Sequence, residues 1–284
     1  MKIGIIGLGA MGTRVAKNII EDGYDTYVFN RTLSKANELN ATLCISPKEL
    51  VEKTDIIFSF VSNDEASEKI WNDPITGGGQ SLTSEKIVLE ASTLSEEQSM
   101  KFTQQFSNLN FLLSPVVGSR PQVESRQLVF LIGGKEIAYS KVSNLVQSLS
   151  KKVIYFKDPI QACQLKLTIN ALFGIQTIAF AEFYHGLKNA QFSEEKINSI
   201  LQALPITSPI MQIMLDLFNQ KNFEPLFPID LVIKDFNYAQ RFLESHNVES
   251  ILTKSAKKAF QKAKNMNLGG QNIAGVYNIY NKQN

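Results

Sequence analysis

The chain has 284 residues, 44% of them hydrophobic and 20% charged, and a formal net charge of +2. This length suits two medium domains, each able to bury a core of its own, and the composition excludes a mainly disordered chain. The near-neutral balance, without a clustered Lys and Arg patch, argues against a nucleic-acid partner, and two distant cysteines, Cys44 and Cys163, are too few for a disulfide framework or a cysteine zinc site.

An apolar run at 3–10 opens the chain. Its glycines and the missing basic flank mark it as part of the fold and not a signal peptide, and a cytoplasmic location is expected. Short β-rich runs then alternate with helical patterns, the sequence form of βαβ units closing a parallel sheet. Strands are expected at 2–6, 25–29, 56–60, 87–90, 111–113, 128–132 and 153–156. A helix is expected over 11–22 with Gly23 as its stop, and Ser46-Pro47-Lys48-Glu49 reads as a capping box with proline at the first helical position. Asp64, Glu65 and Glu68 read as a solvated helix face, and Gly77-Gly78-Gly79 as a surface loop.

After Asp158-Pro159 strand-like runs give way to successive helices, beginning with a long one over 161–189. The domain boundary is expected there, giving domains 1–158 and 159–284. The apolar stretch 167–183 is short for a membrane span and carries Thr168, Asn170, Gln176, Thr177 and Glu182, so it reads as a buried helix and no membrane partner is expected. Apolar side chains on nearly every face of that helix suit a segment surrounded by other helices or by a second subunit, so a homodimer is expected. The fold class that results is α/β, a Rossmann-type doubly wound sheet followed by an all-helical C-terminal domain.

The segment Gly7-Leu8-Gly9-Ala10-Met11-Gly12 is a G-x-G-x-x-G turn lying directly between a strand and a helix. Gly7 permits the tight turn, Gly9 admits a pyrophosphate against the backbone, and Gly12 allows close helix–strand packing. At the end of the second strand, where an acid usually reads the ribose hydroxyls of NAD, the sequence has Asn30-Arg31-Thr32. Arg31 can pair with a 2′-phosphate while Asn30 and Thr32 supply neutral hydrogen bonds, which favours NADP(H); a surface arginine opening a helix is the alternative. Lys166 and Asn170 lie four apart in the long helix and share a face. On residues alone, Lys166 fits a cleft-facing cation and a snorkelling lysine equally. His185 and His246 lack Cys or carboxylate at metal-ligand spacing and read as structural.

With these segments in order over nearly the whole length, the chain resembles the β-hydroxyacid dehydrogenase family, 3-hydroxyisobutyrate dehydrogenase-like and closest to the glyoxylate and succinic semialdehyde reductases. The resemblance implies an NADP(H)-dependent oxidoreductase in which Lys166, in Lys-x-x-x-Asn with Asn170, is the general acid. It implies that Ser92-Thr93 lies near the nicotinamide, with Thr93 serving both cofactor and substrate. Val117, Gly118, Ser119 and Arg120 match the substrate loop, where Val117 replaces a usual serine and Ser114 a usual alanine. It assigns Val61 and Lys234 to the cofactor and Phe227 and Asp235 to the border of the active site. The glycines usual ahead of the lysine are replaced by Gln161 and Cys163 among others, and Asn272 stands where an aspartate is common. The implied substrate is a small carboxylated aldehyde. Oxidation of a 3-hydroxyisobutyrate-type acid, imine reduction and a catalytically silent NADPH-binding protein are the rival readings.

Overall fold

The structure, a computed structural model, describes residues 1–281; residues 282–284, the end of the second expected domain, lie outside them. The chain divides into two compact units, one spanning Met1–Lys166 and the other running from Leu167 onward.

The first unit runs β1 (Lys2–Ile6), α1 (Gly12–Glu21), β2 (Asp25–Phe29), β3 (Thr42–Leu43), α2 (Pro47–Lys53), β4 (Ile56–Ser59), α3 (Asp64–Asn72), β5 (Ile87–Glu90), α4 (Glu96–Gln105), β6 (Asn110–Leu113), β7 (Val116–Val117), α5 (Arg120–Glu124), β8 (Leu128–Gly133), α6 (Glu136–Ser148) and β9 (Ser150–Phe156). The strands form one sheet in the order β3-β2-β1-β4-β5-β6-β8-β7, with β9 paired to β8. Pairing is parallel from β3 through β6, and β8 runs antiparallel to β6 and β7. Ile3, Ile5 and Ile6 of β1 and Ile57 and Phe58 of β4 are fully buried, as expected of central parallel strands covered by helices on both faces. Chain order reverses between β1 and β4, and the crevice beyond the carboxyl ends of strands at such a reversal is where open α/β sheets bind ligands.

The seven expected strands are present. The two-residue strands β3 and β7 were not anticipated, because two residues carry no readable alternation. Three local expectations need correction. Ser46 does cap α2, its Oγ accepting from Glu49 N–H at 3.1 Å, but Glu49 reaches back to Ile45 N–H at 2.7 Å and not to Ser46, so the reciprocal box is displaced by one residue. Gly77 and Gly78 are buried, and a Cβ on Gly77 would lie 2.5 Å from the Asp73 carbonyl oxygen, so this stretch is packed backbone and not an open loop. Asp64 is not merely solvated: its Oδ1 accepts from Ser95 N–H at 2.8 Å.

The long helix α7 (Pro159–Asn189) follows, then α8 (Glu194–Ala203), α9 (Pro209–Gln220), α10 (Ile229–Ser245), α11 (Ile251–Asn265) and a terminal 3₁₀ segment, Ile273–Tyr280. Within the second unit Phe180, Tyr184, Phe218 and Tyr277 form one aromatic cluster, and Phe236 packs on Phe260. His185 is buried in that cluster, with Nδ1 at 2.9 Å from the Ala181 carbonyl and its ring 4.1 Å from Tyr277, the structural role expected for it. Among the described residues, no helix is long and apolar enough to cross a membrane, and no group of side chains could hold a metal ion.

Candidate active site

The glycine turn joins β1 to α1 at the reversal point of the sheet. Gly7 has φ +91°, and a Cβ there would lie 2.2 Å from the Phe60 carbonyl oxygen; one on Gly12 would lie 1.9 Å from the Gly7 oxygen. Only glycine fits either position. A Cβ on Gly9 would meet nothing within 4 Å, so the backbone there faces open space. Helix α1 has no side-chain cap and no acid in its first turn, which leaves its positive dipole end to an anion. A dinucleotide pyrophosphate fits this cradle.

Asn30 Oδ1 accepts from Leu8 N–H at 2.9 Å and its Nδ2 donates to the Thr32 carbonyl at 3.0 Å, so the carboxamide ties the end of β2 to the glycine turn. Arg31 beside it is exposed, with no acid in the Asn30-Arg31-Thr32 stretch.

Lys166 is buried, 8% exposed, and lines a small pocket of the first unit with Glu90, Ser92, Thr93, Leu94, Ser99, Leu113, Pro115 and Cys163. Thr93 and Lys166, two residues that only the family resemblance linked, therefore line one pocket. The start of α7 is moored to the same turn: Cys163 Sγ donates to the Leu94 carbonyl at 3.4 Å, and Gln164 Nε2 donates to Glu96 Oε1 at 2.6 Å. Burial pushes the Cys163 thiol up to about 12, so it is a packing and hydrogen-bonding group and not a nucleophile. Val61 N–H donates to Ser92 Oγ at 2.9 Å, joining the end of β4 to that turn.

In the segment expected to form the substrate loop, Gly118 has φ +134°, and Gln122 Oε1 accepts from Ser119 N–H at 2.9 Å, opening α5. Among the described residues, Ser119 Oγ and Arg120 Nε are buried without a hydrogen-bond partner, as is Ser114 Oγ. Such groups cost about 1–3 kcal/mol each unless a ligand or water satisfies them. Val117 pairs with Val129 in the sheet and is half-buried. Arg14 pairs with Glu124 at 2.5 Å and Asn18 Nδ2 donates to the Val123 carbonyl at 2.8 Å, fastening α5 to α1.

In the second unit, Asn170 Nδ2 donates to Asp235 Oδ2 at 2.6 Å, and Lys234 Nζ lies 3.0 Å from Asp235 Oδ1. Asn170 and Asp235 are both buried. Phe227 stacks on Phe173 at 6.2 Å, and its N–H donates to Asn272 Oδ1 at 3.3 Å. An amide oxygen thus accepts here without the charge of an aspartate.

Two family models cover the chain: the NAD binding domain of 6-phosphogluconate dehydrogenase matches residues 2–156, and the NAD-binding region of NADP-dependent 3-hydroxyisobutyrate dehydrogenase matches 161–280. The chain belongs to the β-hydroxyacid dehydrogenase family. It is accordingly an NAD(P)-dependent oxidoreductase acting on CH–OH groups, with NADP(H) as its cofactor. Glyoxylate/succinic semialdehyde reductase 1 of Arabidopsis thaliana is 27% identical, with 97% of each chain covered. The cytokine-like nuclear factor N-PAC of Homo sapiens is 26% identical over 98% of this chain, which spans 51% of that longer protein. A 3-hydroxyisobutyrate dehydrogenase structure from Salmonella typhimurium superimposes with a TM-score of 0.87 at 18% identity, covering 98% of this chain and 99% of the other, a match of fold.

The glycine turn is legible in the sequence by its motif, while Arg31, Thr93 and the expected substrate loop are named there as candidates. Asp64, Glu90, Cys163 and Gln164 could not be found there, because their partners lie tens of residues away and no spacing announces them.

Proposed function

We propose that this oxidoreductase uses NADPH to reduce a small carboxylated aldehyde, of the glyoxylate or succinic semialdehyde kind, to the hydroxy acid, with Lys166 as general acid. The observation that carries this reading is the buried Lys166 sharing a pocket with Thr93. NADPH supplies the hydride. As the carbonyl accepts it, negative charge grows on oxygen, and the Lys166 ammonium stabilises that charge and donates a proton to the oxygen. Thr93 orients the carbonyl beside it. In the oxidative direction the neutral amine is the base.

Gly7, Leu8, Gly9, Ala10, Met11 and Gly12 hold the pyrophosphate, Arg31 pairs with the 2′-phosphate, and Val61 borders the cofactor. The carboxylate of the substrate is read by the backbone of Val117 and Gly118, by Ser119 Oγ and by Arg120, whose buried unsatisfied atoms support the role. Family resemblance assigns Asn170, Phe227, Lys234 and Asp235 to the same reaction, and their hydrogen-bonded arrangement within the second unit supports a pre-organised group. In this reading residues 1–158 are the cofactor-binding domain and 159–284 the substrate and dimerisation domain. The name of the Arabidopsis relative supports the substrate class.

The test is NADPH oxidation with glyoxylate, succinic semialdehyde and the uncharged analogue butanal, in wild type and Lys166→Ala. Turnover of the variant should fall by at least about a hundredfold with NADPH affinity nearly unchanged. The two acids should exceed butanal by at least about tenfold in kcat/KM, the worth of one charge-assisted hydrogen bond. A folded variant working at the wild-type rate would remove Lys166 from its role. A wild type that binds NADPH tightly and reduces none of the three would sink the reductase reading.

A further inference from the structure

We infer that Glu90 is a positioning residue, a fully buried carboxyl that fixes the Ser92-Thr93 turn by bonding it to helix α3. The inference rests on the reading of Thr93 and Lys166 as parts of the reaction site.

Glu90 ends β5 with 0% exposure, where the chain leaves the sheet and turns into α4. Donors from three residues converge on its carboxyl. Ser67 Oγ and Trp71 Nε1, one turn apart on α3, donate to Oε2 at 2.8 and 2.7 Å, and Ser92 N–H donates to Oε1 at 3.1 Å. Asp64, at the start of the same helix, takes Ser95 N–H. Residues 64, 67 and 71 lie on one stripe of α3, so that stripe clamps the turn at both ends while Thr93, between the clamps, faces the pocket that Glu90 and Lys166 also line. From the opposite side Val61 N–H donates to Ser92 Oγ, so the turn is strung between the cofactor end of β4 and α3. Burial raises the affinity of the Glu90 carboxyl for its proton, and the hydrogen bonds from Ser92, Trp71 and Ser67 oppose that rise. A strand end that needed only filling would take an apolar residue without this cost.

Glutamine cannot replace it. Each carboxyl oxygen receives a fixed N–H, from Trp71 or from Ser92, and a carboxamide must turn its own NH₂ toward one of the two. Glu90→Gln should lower kcat at least about tenfold with the KM for NADPH changed by less than about threefold, since misplacing a reacting group costs rate more than cofactor binding. Glu90→Asp, which keeps the carboxyl and shortens the arm, should shift kcat the same way and gives the reading should the glutamine variant fail to fold.

A second readout does not depend on turnover. Trp71 is the only tryptophan in the chain, so nitrogen-labelled protein shows a single indole N–H resonance. NADP⁺ added to wild type should move that resonance through Val61, Ser92 and Glu90, and the response should disappear in either variant. A folded variant with kcat within about twofold of wild type would overturn the assignment, as would an indole resonance that NADP⁺ leaves in place or that responds equally in wild type and variant. If wild type reduces no aldehyde, the functional reading fails on its own, and the indole response still decides the role of Glu90.

Discussion

Asn30 and Arg31 are neighbours in sequence with opposite fates. The half-buried Asn30 carboxamide bonds the protein's own backbone, accepting from Leu8 and donating to Thr32, so its neutrality serves the glycine turn. A carboxylate there could accept from Leu8 but would face the Thr32 carbonyl oxygen without a proton to give. Arg31 is exposed and available to a phosphate. A charge-assisted pair contributes about 1.5–3 kcal/mol when sheltered, and solvent around Arg31 brings the expectation to the low end, roughly tenfold. Arg31→Ala should therefore weaken NADPH binding about tenfold and leave NADH binding within about twofold, measured by titrating both cofactors against both proteins. Equal losses for the two would make Arg31 a structural residue and end the cofactor argument. The motif revealed which residues stand here, but the bonding of Asn30 depends on Leu8, in the glycine turn 22 residues earlier.

At the scale of elements, α3 shows most clearly what sequence could not reveal. Its acids suggest a solvated face, and Glu65 does pair outward with Lys69 at 2.8 Å. Asp64, Ser67 and Trp71 form the opposite stripe, and its polarity is explained only by the Glu90–Ser95 turn that it meets. The α10–α11 corner uses a carboxylate in the reverse setting. Glu244 Oε1 is near Lys254 Nζ at 2.7 Å and accepts from Ser250 Oγ at 2.9 Å and Gln240 Nε2 at 3.1 Å. The bond to Lys254, then those from Ser250 and Gln240, hold its carboxyl down at about 2 against an ordinary 4.5. Because the folded value is the lower one, the stabilisation is present above about pH 4.5 and is lost as the pH falls toward 2. Glu244→Gln should melt below wild type at pH 6, with the gap closing between pH 4.5 and 2 when both are followed by thermal melts. A gap equally wide at pH 2.5 and pH 6 would show that the corner is held by shape and not by charge.

For the molecule as a whole, the sheet was legible because central parallel strands must be apolar on both faces, as Ile3, Ile5 and Ile6 are, and because a strand–turn–helix context surrounds the glycines. The change to helices after Asp158-Pro159 was legible for the same reason, a change of period that α7 bears out by starting at Pro159. The apolar faces of α7 were legible too, but not what covers them. Leu172 and Phe183 remain 53% and 71% exposed. They lie eleven residues apart, three turns within about 20° of one line, so they mark a single stripe along the second unit's longest helix. Burying a Leu or Phe side chain contributes about 1.5–3 kcal/mol, and a two-fold axis across the stripe would bury each residue twice, once from each subunit. We expect a homodimer in which α7 meets its copy. Light scattering on the eluting protein should give twice the monomer mass at micromolar concentration, and Phe183→Glu, which places a charge on the stripe, should give the monomer mass with an unchanged circular dichroism spectrum. A wild-type protein that stays monomeric would remove the second subunit from this reading, and a Phe183→Glu protein that stays dimeric would move the interface off α7.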